Sequence, residues 1–222
     1  MFGCFKYCLI QESNAVTWVS ILNRAKVFKF GNDPYVVFSN KPLCQVEVGR
    51  RSYSTPISPI SILAVEGQKL VIGSYTSIAG GVKIIMAGGH FTNYISTYPF
   101  REMLSKQTIS TQRYGDILIG NDVWIGEDAT LIGGCQIGDG AIVGAKSLVT
   151  SKQSLDSYGI YGGVPAKLLR YRFPEKTRKE LQELKWWNLP DKIIKEHSEL
   201  FYSENIQESI EQLRQLTKSY PI

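Results

Sequence analysis

Between Ile119 and Thr150 the hydrophobic pattern repeats every six residues. Ile119, Ile125, Leu131, Ile137, Val143 and Val149 carry the beat, and glycine follows at positions 120, 126, 138 and 144. Four residues after each aliphatic stands a small side chain: Val123, Ala129, Cys135, Ala141 and Ser147. Six is neither the helical period nor the two-residue alternation of an ordinary strand, so the repeat itself is the structural unit. Three hexads, each a strand stub and a turn, close a triangular coil of about eighteen residues that stacks on the next by parallel ladders. The expected fold is mainly β, a parallel β-helix with the aliphatic inward and glycine relieving the corner. A sandwich with chance spacing is the alternative, and the number of agreeing beats argues against it.

The beat starts faintly at Val48 with Ser52 and is disturbed by the TPISP segment. It becomes plain at Ile72, Ile78 and Ile84, with Thr76 and Val82 in the small position. From Gly88 to Asp116 it stops. That stretch carries Pro99, aromatics and polar residues, and reads as a long loop between two repeat blocks, a kind of loop that is usually functional. After Thr150 the beat fades. PEKTRKELQEL predicts a helix from Pro174 to Leu184 with Leu181 and Leu184 on one face, and PDKIIKEHSELF and NIQESIEQLRQL predict one or two more. Near the N-terminus, AVTWVSIL reads as a short helix or strand and FGNDPYVVF as a turn followed by a strand. The expected organisation is an N-terminal segment at 1–45 packing on the helix, a β-helix at 46–170 with an insertion at 88–116, and a helical segment at 171–222.

Composition narrows the classes. With 222 residues and 43% hydrophobic content the chain can build a real core. The formal charge of +5 comes from scattered cations, which argues against nucleic-acid binding. Cys4, Cys8, Cys44 and Cys135 lack zinc-site spacing and any evident disulfide framework, which fits a reduced, cytoplasmic setting. The opening MFGCFKYCLI is far shorter than the roughly 18 to 20 residues of a membrane span and lacks signal-peptide features. It suits packing on the body of the protein, or contact with a partner or membrane surface.

Three stretches resemble the left-handed β-helix acyltransferases: KLVIGSYTSIAGGVKIIMAGGHFTNYISTYPF, GNDVWIGEDATLIGGCQIGDGAIVGAKSLVT followed by GGVPAKLLR, and KWWNLP. Within that family they are similar to the xenobiotic acetyltransferase branch, which includes the streptogramin and type B chloramphenicol acetyltransferases and related sugar O-acetyltransferases. The GGH…STYPF loop leading into GNDVWIG is the specific part. The resemblance implies a left-handed prism, acetyl-CoA as co-substrate, direct attack by an acceptor hydroxyl, and a homotrimer with sites between subunits. One departure stands out. The family's loop usually has Asp three positions after its His, and this chain has Asn93.

Acetyl transfer from a thioester to an alcohol needs a base, donors for the developing oxyanion and two aligned substrates. Of two histidines, His197 sits in a helical EHSELF context among acids and reads as a solvated surface residue. His90 opens the inserted loop after two glycines. A lone loop histidine can be structural; the resemblance makes His90 the general base, and imidazole near its unperturbed pKa of about 6.5 suits proton transfer. Cys135 occupies a small inward position, so its expected role is core packing.

For the cofactor, the resemblance points to Trp124, Gly126, Gly144, Ala145, Lys146, Pro165, Lys167 and Arg170, with Lys152 adding charge. Trp124 falls one place before an inward aliphatic and hence faces outward, where it can line the pantetheine arm or cover hydrophobic surface. Tyr53, Phe91, Asn93, Tyr94 and Tyr98 can hold a ring-bearing alcohol or equally brace the loop. The expected activity is acetyl transfer to a carbohydrate hydroxyl of a surface polysaccharide or its precursor, with an antibiotic hydroxyl as the second acceptor class. A non-catalytic hexapeptide scaffold is the rival of another class, and GGH with STYPF argues against it. A zinc hydratase on the same prism needs three histidines across an interface; with two histidines no metal is expected.

Overall fold

The computed structural model describes residues 7–12, 15–20, 26–30, 36–105 and 111–220. Its backbone divides into two units, Met1–Arg170 and Tyr171–Ile222.

The first unit is a three-sided parallel β-helix. One face stacks Gln45–Val48, Lys69–Ile72, Ile117–Ile119, Gln136–Ile137 and Ser154–Leu155. The second stacks Tyr53–Ser54, Ser77–Ile78, Trp124–Ile125, Ile142–Val143 and Gly159–Gly162, and ends on Lys167–Tyr171. The third stacks Ser61–Leu63, Lys83–Ile85, Thr130–Ile132 and Leu148–Val149. The hexad register is kept across the stack: Ile78, Ile125 and Val143 pair in one column, and Ile84, Leu131 and Val149 in another.

Both inward positions of the hexad are buried, the aliphatic and the small residue four later, from Ile72 and Thr76 through Val143 and Ser147. The polar ones are satisfied. Ser52 Oγ accepts from the Thr76 amide at 2.9 Å, and Thr76 Oγ1 donates to the Gly120 carbonyl at 2.9 Å. The rhythm outlasts Thr150, contrary to the expectation that it fades there: Leu155 and Tyr161 continue it, buried in the core.

The glycine after the aliphatic has a different reason from the one expected. It is not the corner residue with positive φ; that is the third residue after the aliphatic, as in Tyr75, Asp122, Gly140 and Tyr158 along one edge and Gly81, Asp128 and Lys146 along another. A Cβ on Gly126 would come within 2.5 Å of the Ala145 amide nitrogen, and one on Gly138 within 2.6 Å of the Ser157 nitrogen. These glycines let successive coils approach, while the left-handed corner costs about 1 to 2 kcal/mol wherever its occupant has a side chain.

The N-terminal segment is a four-stranded antiparallel sheet of Tyr7–Glu12, Ala15–Ser20, Lys26–Phe30 and Val36–Phe38. AVTWVSIL therefore contributes a strand; the turn expected at 31–35 lies outside the described residues, as do residues 1–6. Val36, Val37 and Phe38 are buried against the first coil, with the Ile60 amide donating to the Val37 carbonyl at 2.9 Å. They close an end that would otherwise expose ladder groups and core. The 88–116 insertion has structure of its own: Ala87–Gly89 pairs antiparallel with Gln112–Arg113, and a short helix spans Phe100–Ser105.

The second unit holds helices Glu175–Leu184, Asp191–Glu196 and Ile206–Ser219. Pro174 caps the first and Asn205 the last, its side chain accepting from the Glu208 amide. Trp186 stacks edgewise on Trp187 and Phe201 at centroid distances of 5.9 and 4.8 Å. Among the described residues no helix is long and apolar enough to cross a membrane.

Candidate active site

His90 stands at the root of the inserted loop, and the two glycines before it are there for steric reasons. Gly88 has φ +98°, and a side chain on Gly89 would collide with the Tyr114 hydroxyl. The register of the loop's stem shifts between Ala87 and Gly89, a bulge of the kind that redirects the next side chain. His90 follows directly and is exposed.

Its Nδ1 lies 2.5 Å from the backbone carbonyl oxygen of Thr97. A carbonyl can only accept, so in this contact Nδ1 carries a proton, and the lone pair of the neutral ring is then the one on Nε2. The Thr97 turn is itself held, because the Tyr98 amide donates to Ser96 Oγ at 3.1 Å and the Phe100 amide to the Tyr98 carbonyl at 2.9 Å. Beyond it lie two aromatic pairs, Phe91 with Tyr94 at 5.4 Å and Tyr98 with Phe100 at 4.8 Å. Asn93 is exposed beside them.

Trp124 stands on the second face and is 54% exposed. It shares one outward row with Tyr53, Ser77, Ile142 and Ile160, so Tyr53 lies two rungs away, about 9.6 Å along the ladder. The corners just beyond this row form one continuous edge. The Lys146 amide donates to the Glu127 carbonyl at 2.7 Å, the Asp128 amide to Gly80 at 3.0 Å, and the Leu148 amide to Gly163 at 3.0 Å. Gly126, Gly144, Ala145, Lys146 and Pro165 thus lie on one edge of small side chains and close backbones, with exposed Lys167 and Arg170 on the last strand nearby.

Lys152 is not on this edge. It sits at the corner between third and first faces, stacked over Gly134, and the inserted loop leaves the prism at that same corner two coils earlier. A single chain therefore places His90 and Lys152 along one edge and Trp124 with Gly126, Gly144, Ala145 and Pro165 along another. Cys135 is fully buried, and desolvation pushes its thiol up to about 12. His197 is exposed at the end of a helix in the second unit. Among the described residues no cluster of His, Cys, Asp and Glu is arranged to hold a metal.

Two contributors carried no sequence signal: the Thr97 carbonyl, because every residue has one, and Tyr114, whose hydroxyl lies where a side chain on Gly89 would go. The Ser96 hydroxyl that fixes the turn had a weak one in the Ser-Thr-Tyr-Pro run.

A model of the bacterial transferase hexapeptide family, six repeats, matches residues 116–151. The chloramphenicol acetyltransferase of Morganella morganii is 44% identical over 145 residues, covering 62% of this chain and 68% of that protein. A probable macrolide acetyltransferase of Lysinibacillus sphaericus is 41% identical over 145 residues, covering 62% of this chain and 79% of that protein. Among solved structures, a hexapeptide-repeat acetyltransferase from Vibrio cholerae has a TM-score of 0.49 at 23% identity, over 65% of this chain and 70% of that one.

Proposed function

The chain belongs to the left-handed β-helix hexapeptide-repeat acetyltransferases, in the branch of the chloramphenicol and other xenobiotic acetyltransferases, and is an acyltransferase; from that premise we propose direct transfer of acetyl from acetyl-CoA to an acceptor hydroxyl, with His90 as the general base. The observation that carries the base assignment is the Nδ1 contact with Thr97. It leaves Nε2 basic and aimed away from the turn, so the family's carboxylate, absent at Asn93, is not needed to set the tautomer. His90 Nε2 takes the hydroxyl proton as the oxygen attacks the thioester carbonyl, and returns it to the departing thiolate. The transfer is direct, with no acetylated enzyme along the way; Cys135, fully buried in the core with its thiol pushed up by desolvation, is unsuited to act as a nucleophile.

The donor supplies an activated acetyl group, and the edge along Gly126, Gly144 and Ala145 fits it. Small residues let an extended arm approach the backbone, Trp124 offers an apolar wall, and Lys146, Lys167 and Arg170 offer charge for phosphates. Because His90 and Trp124 stand on different sides of one prism, a complete site takes His90 and Lys152 from one copy and the Trp124 edge from the next. The exposed loop residues Tyr94, Ile95, Phe100, Met103 and Leu104 supply apolar surface for that meeting. Closed threefold symmetry then gives three equal clefts, and the working form is a homotrimer.

For the acceptor, aromatic Tyr53, Phe91, Tyr94 and Tyr98 suit a ring-bearing alcohol of the antibiotic type, and the names of the relatives at 44% and 41% identity support that class over the carbohydrate hydroxyl. The carbohydrate hydroxyl, the first acceptor expected from the sequence, becomes the second reading, favoured by the exposed hydrogen-bonding groups of Thr92 and Asn93 beside those rings. The test is release of free CoA from acetyl-CoA with chloramphenicol, a macrolide or a disaccharide as acceptor. Acceptor-dependent release with an O-acetylated product supports the reading; acceptor-independent hydrolysis alone would remove it.

A further inference from the structure

The corner after Tyr53–Ser54 is two residues too long. Ser54 pairs with Ile78 and Ile62 with Ile84, so eight residues on the first coil span what six span on the next. The ends of that corner are in register: the Thr55 amide donates to the Ile78 carbonyl at 3.2 Å, and the Gly81 amide to the Ser58 carbonyl at 3.2 Å. A Cβ on Gly80 would come within 2.8 Å of Ser58 Cβ, so Ser58 lies flat on the next corner. The extra pair is therefore Pro56 and Ile57. Both are exposed, Ile57 at 75%.

This outgrowth stands at the N-terminal end of the edge that carries Gly80, Gly126, Ala145 and Gly163, beside Tyr53. The cations stand toward the other end: Lys146 is three rungs or about 14 Å away, and Lys167 and Arg170 lie on the strand five rungs or about 24 Å away. A donor whose phosphates are held by those cations runs its acyl end toward the first coils. What meets Ile57 is then the acceptor.

We infer that Pro56–Ile57 is a specificity element, an apolar wall which with the Tyr53 ring selects acceptors that present an apolar face next to the reacting hydroxyl. The inference rests on the proposed acetyl transfer and deepens it. A rigid proline sets the excursion and an exposed isoleucine stands at its tip: it belongs to neither inward column of the prism, and a regular corner of three residues closes the same turn one coil later. An apolar wall of this kind favours a ring of carbon over a ring of hydroxyls, because each polar group pressed against it loses water without gaining a partner.

The test uses full-length enzyme, Ile57→Asp, and a variant with Pro56 and Ile57 excised, which restores the regular corner. Chloramphenicol and maltose are the probe acceptors, and binding of each in the presence of CoA is measured by calorimetry alongside binding of acetyl-CoA. Both variants are expected to weaken chloramphenicol by about tenfold or more and leave maltose and acetyl-CoA within about twofold. The excised variant should keep the melting temperature and assembly state of the parent, which separates this effect from misfolding. Unchanged chloramphenicol binding in Ile57→Asp, failure of the parent to prefer chloramphenicol over maltose, or an equal loss of acetyl-CoA binding would each overturn the inference. The first two outcomes leave His90-dependent acetyl transfer untouched; loss of that transfer is read separately, from turnover in His90→Ala.

Discussion

The carbonyl oxygen of Thr97 stands 2.5 Å from Nδ1 of His90, seven residues away along the same loop. A neutral backbone acceptor orients the ring without adding charge, so the His90 ring is positioned without a carboxylate partner. If that is sufficient, restoring the carboxylate gains little. Asn93→Asp is expected to change kcat by less than about threefold, whereas Ser96→Ala, which releases the Tyr98 amide and loosens the turn, should lower it by up to about tenfold at unchanged acetyl-CoA affinity. Steady-state kinetics on both variants decide the point. A large gain in Asn93→Asp would mean that the carbonyl does not do the carboxylate's job.

Trp124 is exposed on a face next to the edge that carries Gly126, Gly144 and Ala145. Trp124→Ala should raise the KM for acetyl-CoA by about tenfold or more and that for the acceptor much less, since a bare β-ladder loses an apolar wall of large area. Removing both Lys167 and Arg170 should weaken CoA more than dephospho-CoA. Equal donor constants in all these variants would place the cofactor elsewhere.

A site shared between copies has a consequence that a single-chain site lacks. When His90→Ala and Trp124→Ala chains are denatured together and reassembled, some clefts receive His90 from one chain and Trp124 from another. Activity at low acetyl-CoA should then exceed that of either parent preparation. Sedimentation of the active species as a trimer is the accompanying expectation; a fully active monomer removes both.

The hexads made the prism legible, because side-chain burial on a β-helix follows spacing alone: Ile125 and Ala129 are inward wherever the coils go. The reason for the glycines was not legible. Gly126 gives way to the backbone of a coil eighteen residues later, while the left-handed corner belongs to Asp128, a residue with no repeat identity. The end of the rhythm was misjudged for a related reason, since Tyr161 fills an inward position that the aliphatic pattern does not announce. At the site, His90 stood out because its neighbours are glycines and the chain has one other histidine. Its partner could not stand out, for a carbonyl is the same on every residue. The separation of His90 from Trp124 on two edges becomes visible only once the third and first faces are known to meet where the 88–116 insertion leaves.

Cys135 gives a test of the core that is independent of catalysis. Burial pushes its thiol from 9 up to about 12, opposed weakly by a backbone hydrogen bond. An acid whose folded pKa is raised stabilises the fold below the unfolded pKa and loses that contribution as pH rises through the window from 9 to 12, because the unfolded state sheds its proton first. The slope is about 1.4 kcal/mol per pH unit within the window. Urea midpoints should therefore fall more between pH 8 and pH 10 in the parent than in Cys135→Ala, and alkylation of the native protein should spare Cys135. Rapid native-state alkylation at Cys135 would contradict its place in the core.

Turnover by His90→Ala at saturating acetyl-CoA and acceptor tests the mechanism most directly. With folding, trimer mass and acetyl-CoA affinity equal to the parent's, kcat should fall by about 10² or more, since a positioned base contributes about that much. A kcat within a few-fold of the parent's, with contaminating transferase excluded, would contradict the assignment of His90 as the base even if the prism and the cofactor edge stand as described.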